Sequence, residues 1–201
     1  IPASAFPLLI ERRINFKREL AITAVRGATG EIHYYPLSEN HHLQGILVSA
    51  LAPAQIDAQL EHTAQTWAAR LLDGLDYVGV LTIEMFETAD GLLINEIAPR
   101  VHNSAHWTLG GALTSQFENH LRAVVGMPLG DTGVLGRCAI VNIIGKHPPK
   151  DSAWLASNVR LHDYAKTERA GRKLGHVLVM DAPGCTFSQQ ISTLEPMLAQ
   201  L

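Results

Sequence analysis

The segment Gly79–Ser104, GVLTIEMFETADGLLINEIAPRVHNS, constrains this chain more than any other. Two runs rich in branched and aromatic residues flank Ala89-Asp90-Gly91, the composition of a β-hairpin and its turn. With those three residues as the loop, Thr88 pairs with Leu92, Phe86 with Ile94 and Glu84 with Glu96. Side chains alternate along a strand, so both carboxylates leave the sheet on the same face. Like charges directly opposite each other destabilise a sheet. Their neighbours Ile83, Met85, Ile94 and Ile97 add partial desolvation. Two solutions are open: both glutamates reach water on a solvated face, or a cation lies between them. Mg²⁺ suits the second, because it prefers oxygen ligands and commonly bridges protein carboxylates to nucleotide phosphates.

The residues at the end of the hairpin bear on that choice. Asn95-Glu96-Ile97-Ala98-Pro99-Arg100-Val101-His102-Asn103-Ser104 gathers an amide, a carboxylate, a guanidinium and an imidazole within ten residues. Pro99 has no N–H to donate and ends the strand. Arg100, His102 and Asn103 therefore occupy the turn beyond the carboxylate face. An arginine there can hold a phosphate or carboxylate through two hydrogen bonds, and a histidine can move a proton near neutral pH.

Along the rest of the chain, Leu8–Ile14, Glu19–Val25, Glu31–Leu37 and Gly45–Ala50 read as strands, with a turn at Gly27–Gly30. A helix is expected from Pro53, with Ile56, Leu60, Thr63, Trp67 and Leu71 on one face and Gly74 as its stop. Ser115–Val125 reads as a second helix, its serine cap three residues ahead of Glu118. Gly and Pro cluster over Leu129–Gly136, which suggests a boundary between residues 1–130 and 131–201. Beyond it, Cys138–Ile144, Val159–Tyr164 and His176–Met180 read as strands and Phe187–Leu201 as a closing helix. The class expected is α+β: an antiparallel sheet with helices on one face, then a small mixed α/β domain.

Bulk properties narrow the partners. A net charge of −3 gives no broad basic field for nucleic acid, and no apolar run approaches the ~20 residues of a membrane span. Cys138 and Cys185 fit neither a disulfide framework nor a zinc motif, so a reducing cytoplasm is expected. The chain opens Ile1-Pro2-Ala3-Ser4 with no initiator Met, as expected of a piece of a larger protein.

The string INEIAPRVHNS, with Glu84 twelve residues before Glu96, resembles the metal-binding segment of ATP-grasp enzymes, and among them the carboxyaminoimidazole ribonucleotide synthases. Ile10-Glu11-x-x-Ile14-Asn15-Phe16-x-x-Glu19 agrees with that family, as do Tyr35-Pro36-Leu37, Asn40-x-His42-x-x-Gly45-Ile46-Leu47 and Gly171-Arg172-Lys173-x-Gly175-His176. The resemblance implies the C-terminal half of an ATP-grasp domain followed by the small domain. It implies ATP and Mg²⁺ as cofactors. Glu11, Arg12, Arg13 and Ile14 would form a hinge strand whose backbone meets adenine. Glu19 would bind the ribose hydroxyls, His42 the nucleotide, and Asn95 with Glu96 would close the ATP site. Glu84 and Glu96 would hold the metal. Arg100, His102 and Asn103 would handle bicarbonate, carboxyphosphate and the imidazole nucleotide, and Lys166, Arg172 and Lys173 its 5′-phosphate.

The chain departs from the family at Ala105, where relatives often carry glycine, and in lacking the family's N-terminal domain, lid lysines and glycine-rich loop. The implied reaction is ATP- and bicarbonate-dependent carboxylation of aminoimidazole ribonucleotide in purine synthesis, by a cytoplasmic homodimer. This piece alone is expected to be inactive. Two alternatives remain open at this level: a purine-pathway ligase of the formyltransferase type, and a non-catalytic nucleotide-binding module.

Overall fold

A computed structural model describes residues 11–148, 156–183 and 186–199. Among them nine strands form one antiparallel sheet. They are β1 (Arg18–Arg26), β2 (Ile32–Tyr34), β3 (Ser38–Leu43), β4 (Ile46–Ala52), β5 (Gly79–Thr88), β6 (Gly91–Ala98), β7 (Cys138–Gly145), β8 (Val159–Asp163) and β9 (Arg169–Met180). The order is β6-β5-β1-β3-β4-β7-β9-β8, with β2 paired to β1 beside β3. Strands from both sides of the Leu129–Gly136 stretch share this sheet, because β4 pairs with β7 from Ser49↔Val141 to Ala52↔Cys138.

β1 and β5 are buried on both faces, so both are covered. Leu20, Ile22, Ala24, Leu81, Ile83 and Met85 meet helix α1 (Ala58–Gly74) through Ala64, Ala68 and Leu72. Helix α4 (Phe187–Leu198) buries Phe187, Ile191, Leu194 and Leu198 on Ala139, Val141, Ile143, Val177 and Val179 of the same face. The two longer helices share this face, whereas the helix expected at Ser115–Val125 lies on the other, so helices cover both faces and not one. The opposite face carries a 3-10 turn (Asn103–Ala105), α2 (Thr108–Gly111) and α3 (Gln116–Val124). There Ala123 meets Val25 and Val80, and Trp107 packs on Tyr35, Ala50 and Cys138. Burial pushes the Cys138 thiol up to about 12, as befits a packing residue. Ser115 caps α3 by accepting from the Glu118 N–H at 3.2 Å.

Several expectations need correction. Residues 11–16 form no strand: the Arg12-Arg13 pair interrupts the alternation, and pairing begins only at Arg18. Helix α1 starts five residues after Pro53, where the Asp57 carboxylate accepts from the Gln59 N–H at 2.8 Å. At its other end the left-handed residue is Asp76 (φ 45°), not Gly74; an ion pair to Arg26 at 3.0 Å holds it there. Strand β3, whose sequence is SENHHL, has no strand-like pattern and is an addition to the expected elements. Strand β9 begins at Arg169, seven residues before the expected His176, because Lys173 and Arg169 also pair with β7. Leu8–Ile10 of the expected first strand, Cys185 and the last two residues of the expected closing helix lie outside the described residues.

Candidate active site

The hairpin reaches the expected carboxylate pair by an unexpected route. Thr88 pairs with Gly91, Phe86 with Leu93 and Met85 with Ile94, so the loop is two residues, Ala89-Asp90, and not three. The Thr88 hydroxyl donates to the Gly91 carbonyl and accepts from the Asp90 N–H, and Gly91 sits at φ 118°, a region that favours glycine. Continued evenly, this register would set Asn95 opposite Glu84. A bulge at Asn95 absorbs one residue, and Glu84 again faces Glu96.

The two carboxylates differ in environment. β6 is an edge strand among those described, and Ile94 (40% exposed) and Ile97 (41%) are themselves exposed beside Glu96. Glu96 is exposed, whereas Glu84 is 8% exposed under β1, β3 and the turn after β6. The Asn40 amide donates to Glu84 Oε1 at 3.4 Å, and His102 Nδ1 lies 3.6 Å from the same oxygen. Burial raises the Glu84 pKa; His42 and Lys173 oppose the rise while Glu96 and Glu19 reinforce it. His42 Nδ1 is 2.9 Å from Glu19 Oε2. Lys173, half-buried on β9, has its pKa lowered by burial against the pull of Glu84 and Glu96. Glu19, His42, Glu84, Glu96, His102 and Lys173 therefore share one electrostatic neighbourhood.

The turn after β6 is tightly organised. His102 Nδ1 lies 2.8 Å from Ser104 Oγ. Burial, with Arg100, Lys173 and His42 adding repulsion, lowers its pKa to about 4 and keeps it neutral at pH 7. Arg100 is exposed, and among the described residues its guanidinium donates to the Val101 carbonyl alone. Asn103 exchanges amide hydrogen bonds of 2.8 and 3.3 Å with buried Asn142, which also donates to the Leu47 carbonyl.

Other predicted residues lie elsewhere. Arg12, Arg13, Ile14 and Asn15 line a cavity of about 480 Å³ with Thr88, Asp90, Leu92 and Leu93 at the hairpin tip, and Glu11 is exposed. Lys166 and Arg172 stay at the end of the β8–β9 hairpin, Lys166 Nζ 5.0 Å above the Tyr164 ring and Arg172 bonded to Thr167. Of the three residues expected to grip a phosphate, only Lys173 reaches the carboxylates. Asn40, His106 and Gln116 belong to the site without being expected there from sequence. Asn40 carried a signal by opening the Asn40-x-His42 motif and His106 by standing within the HNSAHW run, whereas Gln116 carried none.

Among the described residues no three His, Cys, Asp or Glu side chains form a complete cation cage. Two opposed carboxylates still fit Mg²⁺, which takes its remaining ligands from phosphate and water. A buried Glu84 facing Glu96 and Glu19 is the excess negative charge that such an ion would relieve.

Comparison with known proteins gives this geometry a family. The ATP-grasp domain matches residues 1–117, and the phosphoribosylaminoimidazole carboxylase C-terminal domain matches residues 138–183. The N5-carboxyaminoimidazole ribonucleotide synthase of Pseudomonas aeruginosa is 44% identical over 192 residues, covering 96% of this chain and 53% of the relative. The crystal structure of N5-carboxyaminoimidazole ribonucleotide synthetase from Thermus thermophilus superposes with a TM-score of 0.88 at 46% identity, over 94% of this chain and 53% of that one. An N5-carboxyaminoimidazole synthase from Aspergillus clavatus, solved with ADP and 5-aminoimidazole ribonucleotide, gives 0.78 at 32% identity, over 90% and 51%. The chain spans about half the length of the curated relatives it matches. A carboxylate hairpin held in register by its bulge, inside a matching domain of 117 residues, leaves one assignment: this chain belongs to the ATP-grasp family.

Proposed function

We propose that the protein carrying this chain is an ATP-grasp ligase that carboxylates the exocyclic amine of 5-aminoimidazole ribonucleotide, using ATP and bicarbonate, in purine biosynthesis. The observation that carries this reading is the opposed Glu84–Glu96 pair with Lys173 and neutral His102 beside it. The names and bound ligands of the similar proteins supply the substrate. They do not favour a formyltransferase-type ligase or a non-catalytic module.

In this reading the backbone of Glu11-Arg12-Arg13-Ile14 meets adenine, and Glu19 takes the ribose hydroxyls with His42 as its partner. Asn95 and Glu96 close the ATP site. Glu84 and Glu96 hold Mg²⁺, which supplies charge neutralisation at the transferring phosphates. Bicarbonate attacks the γ-phosphorus, ADP leaves, and the substrate amine attacks the carboxyl carbon of carboxyphosphate, releasing phosphate. Arg100 stabilises the anionic intermediate, His102 orients it as a neutral hydrogen-bonding group, and Asn103 fixes the turn through Asn142. Lys166 and Arg172 grip the 5′-phosphate at the β8–β9 hairpin, where their tethers to Tyr164 and Thr167 pre-arrange them. Lys173 also faces the reacting oxygens.

The proposal includes a cytoplasmic homodimer, and exposed Leu121, Val124, Val125 and Met127 on and after α3 supply a surface for it. Among the described residues no helix is long and apolar enough to cross a membrane. We also divide the chain near Leu129–Gly136; the family matches stop at 117 and begin at 138, on either side of that stretch.

The test is ADP release by the intact protein with Mg-ATP and bicarbonate, with and without aminoimidazole ribonucleotide. Release that requires the nucleotide is expected. Release indifferent to it would overturn the substrate.

A further inference from the structure

Gln116 is the first residue of α3 and is 0% exposed, so each of its amide atoms must find a partner inside the protein. It finds three. Its Oε1 accepts from the His102 N–H at 2.9 Å, and its Nε2 donates to the His102 carbonyl at 2.7 Å. The same Nε2 lies 2.9 Å from His106 Nδ1. Its own backbone N–H donates to Thr108 Oγ1 at 3.0 Å, and that hydroxyl donates to the Ala105 carbonyl at 2.7 Å.

This network fixes a proton. The His102 N–H can only donate, so the oxygen of the Gln116 amide must face it and the NH₂ must lie at the other end. One amide hydrogen goes to the His102 carbonyl. The second points to His106 Nδ1, which must therefore offer a lone pair. The His106 proton is then on Nε2, and the ring is neutral, because an imidazolium would set N–H against N–H. Burial, reinforced by the charges of His102 and Lys173 and opposed by a contact with the His102 backbone, lowers the His106 pKa to about 4.

No described side chain bonds His106 Nε2, and the residue is partly exposed, unlike buried His176. The ring is packed against Phe117 at 5.2 Å and His176 at 5.3 Å, with the Tyr164 edge at 6.5 Å. It feels the charge of His102 and Lys173 across the site. A neutral N–H of fixed tautomer, held by aromatic walls between the His102 turn and the Tyr164–Lys166 hairpin, is built to donate to one acceptor on a bound molecule.

We propose that His106 is a substrate-binding residue donating from Nε2–H to an oxygen of the nucleotide substrate, and that Gln116 is the positioning residue that holds this tautomer. The ligand class rests on the function proposed above. The His106 tautomer does not.

Two measurements on the intact protein test it. Long-range ¹H–¹⁵N correlation of the imidazoles should show His106 as the Nε2–H tautomer, and Gln116→Glu should move the proton to Nδ1, because a carboxylate there can only accept. In steady-state kinetics, His106→Phe should raise the KM for aminoimidazole ribonucleotide by about tenfold, the worth of one neutral hydrogen bond, and leave the KM for ATP within about twofold. His106→Gln, which returns an amide N–H near the Nε2 position, should restore most of that loss. A His106 proton on Nδ1 in the wild-type protein overturns the proposal with no variant required. So does a His106→Phe protein whose nucleotide KM is unchanged, or a His106→Gln protein no better than His106→Phe. If the wild-type protein releases ADP without needing the nucleotide, the proposed function fails and the ligand class with it, while the tautomer is still read by the first measurement.

Discussion

His102, His106 and His176 are buried and neutral, with pKa values lowered to about 4, 4 and 3, burial being the main cause in each. In the unfolded chain a histidine binds its proton near 6.5. Below that pH the unfolded state therefore takes up protons that the folded state refuses. The folded pKa is depressed, so the stability is present above about 6.5 and is lost as pH falls towards 4 and 3. The chain should lose on the order of a few kcal/mol between pH 7 and pH 4, measured by urea unfolding at both. An unfolding free energy flat across that range would contradict the neutral assignments. Sequence made His102 visible, because it stood next to Arg100 in a motif. It could not reveal that the ring is neutral, a property set by burial and by Arg100, Lys173 and His42 converging from the turn after β6, β9 and β3.

At the scale of the element, strongly periodic segments were legible and compensated ones were not. β1, β5 and the cap of α3 are readable from alternation and from Ser115. The buried stripe of α1 lies one position away from the one its large residues suggest: Ala64, Ala68 and Leu72 touch the sheet, while Trp67 and Leu71 flank it. Small alanines let the helix axis approach, and the large residues then fill the margins. The hairpin hides its register more deeply. A loop one residue shorter and a bulge one residue longer cancel, so Glu84 meets Glu96 under either reading and only structure separates them. β3 was invisible because its inward residues are polar; Ser38 and Asn40 are buried through mutual hydrogen bonding and the contact with Glu84. Leu72→Ala tests the α1 account. It should cost about 2–5 kcal/mol in urea unfolding, since Leu72 is fully buried among Leu20, Ile22 and Leu81. A cost below about 1 kcal/mol would mean that the helix does not seal that face.

For the molecule as a whole, the fold class was readable from strand and helix patterning, and the family from the resemblance carried by INEIAPRVHNS with Glu84 twelve residues before Glu96. Less legible was how the second part of the chain completes the first. β7 extends the sheet past β4, and β9 carries Lys173 back to Glu84 and Glu96, a long-range contact with no local signature. With Glu96 and Arg100 exposed, the face is open to water, which would destroy a reactive intermediate of the kind proposed above. The isolated chain should therefore release ADP no faster than a blank containing Mg-ATP and bicarbonate. Turnover above that blank would show that this half-site suffices. The central claim, that the hairpin pair exists to hold a nucleotide-bound cation, is tested most directly by calorimetric titration of ATP into the intact protein with and without Mg²⁺. Wild type should bind at least about tenfold more tightly with the metal, ~1.4 kcal/mol, and Glu84→Gln and Glu96→Gln should abolish that difference. Equal metal dependence in the wild type and both variants would contradict the account and return the opposed glutamates to the solvated face that the sequence also allowed.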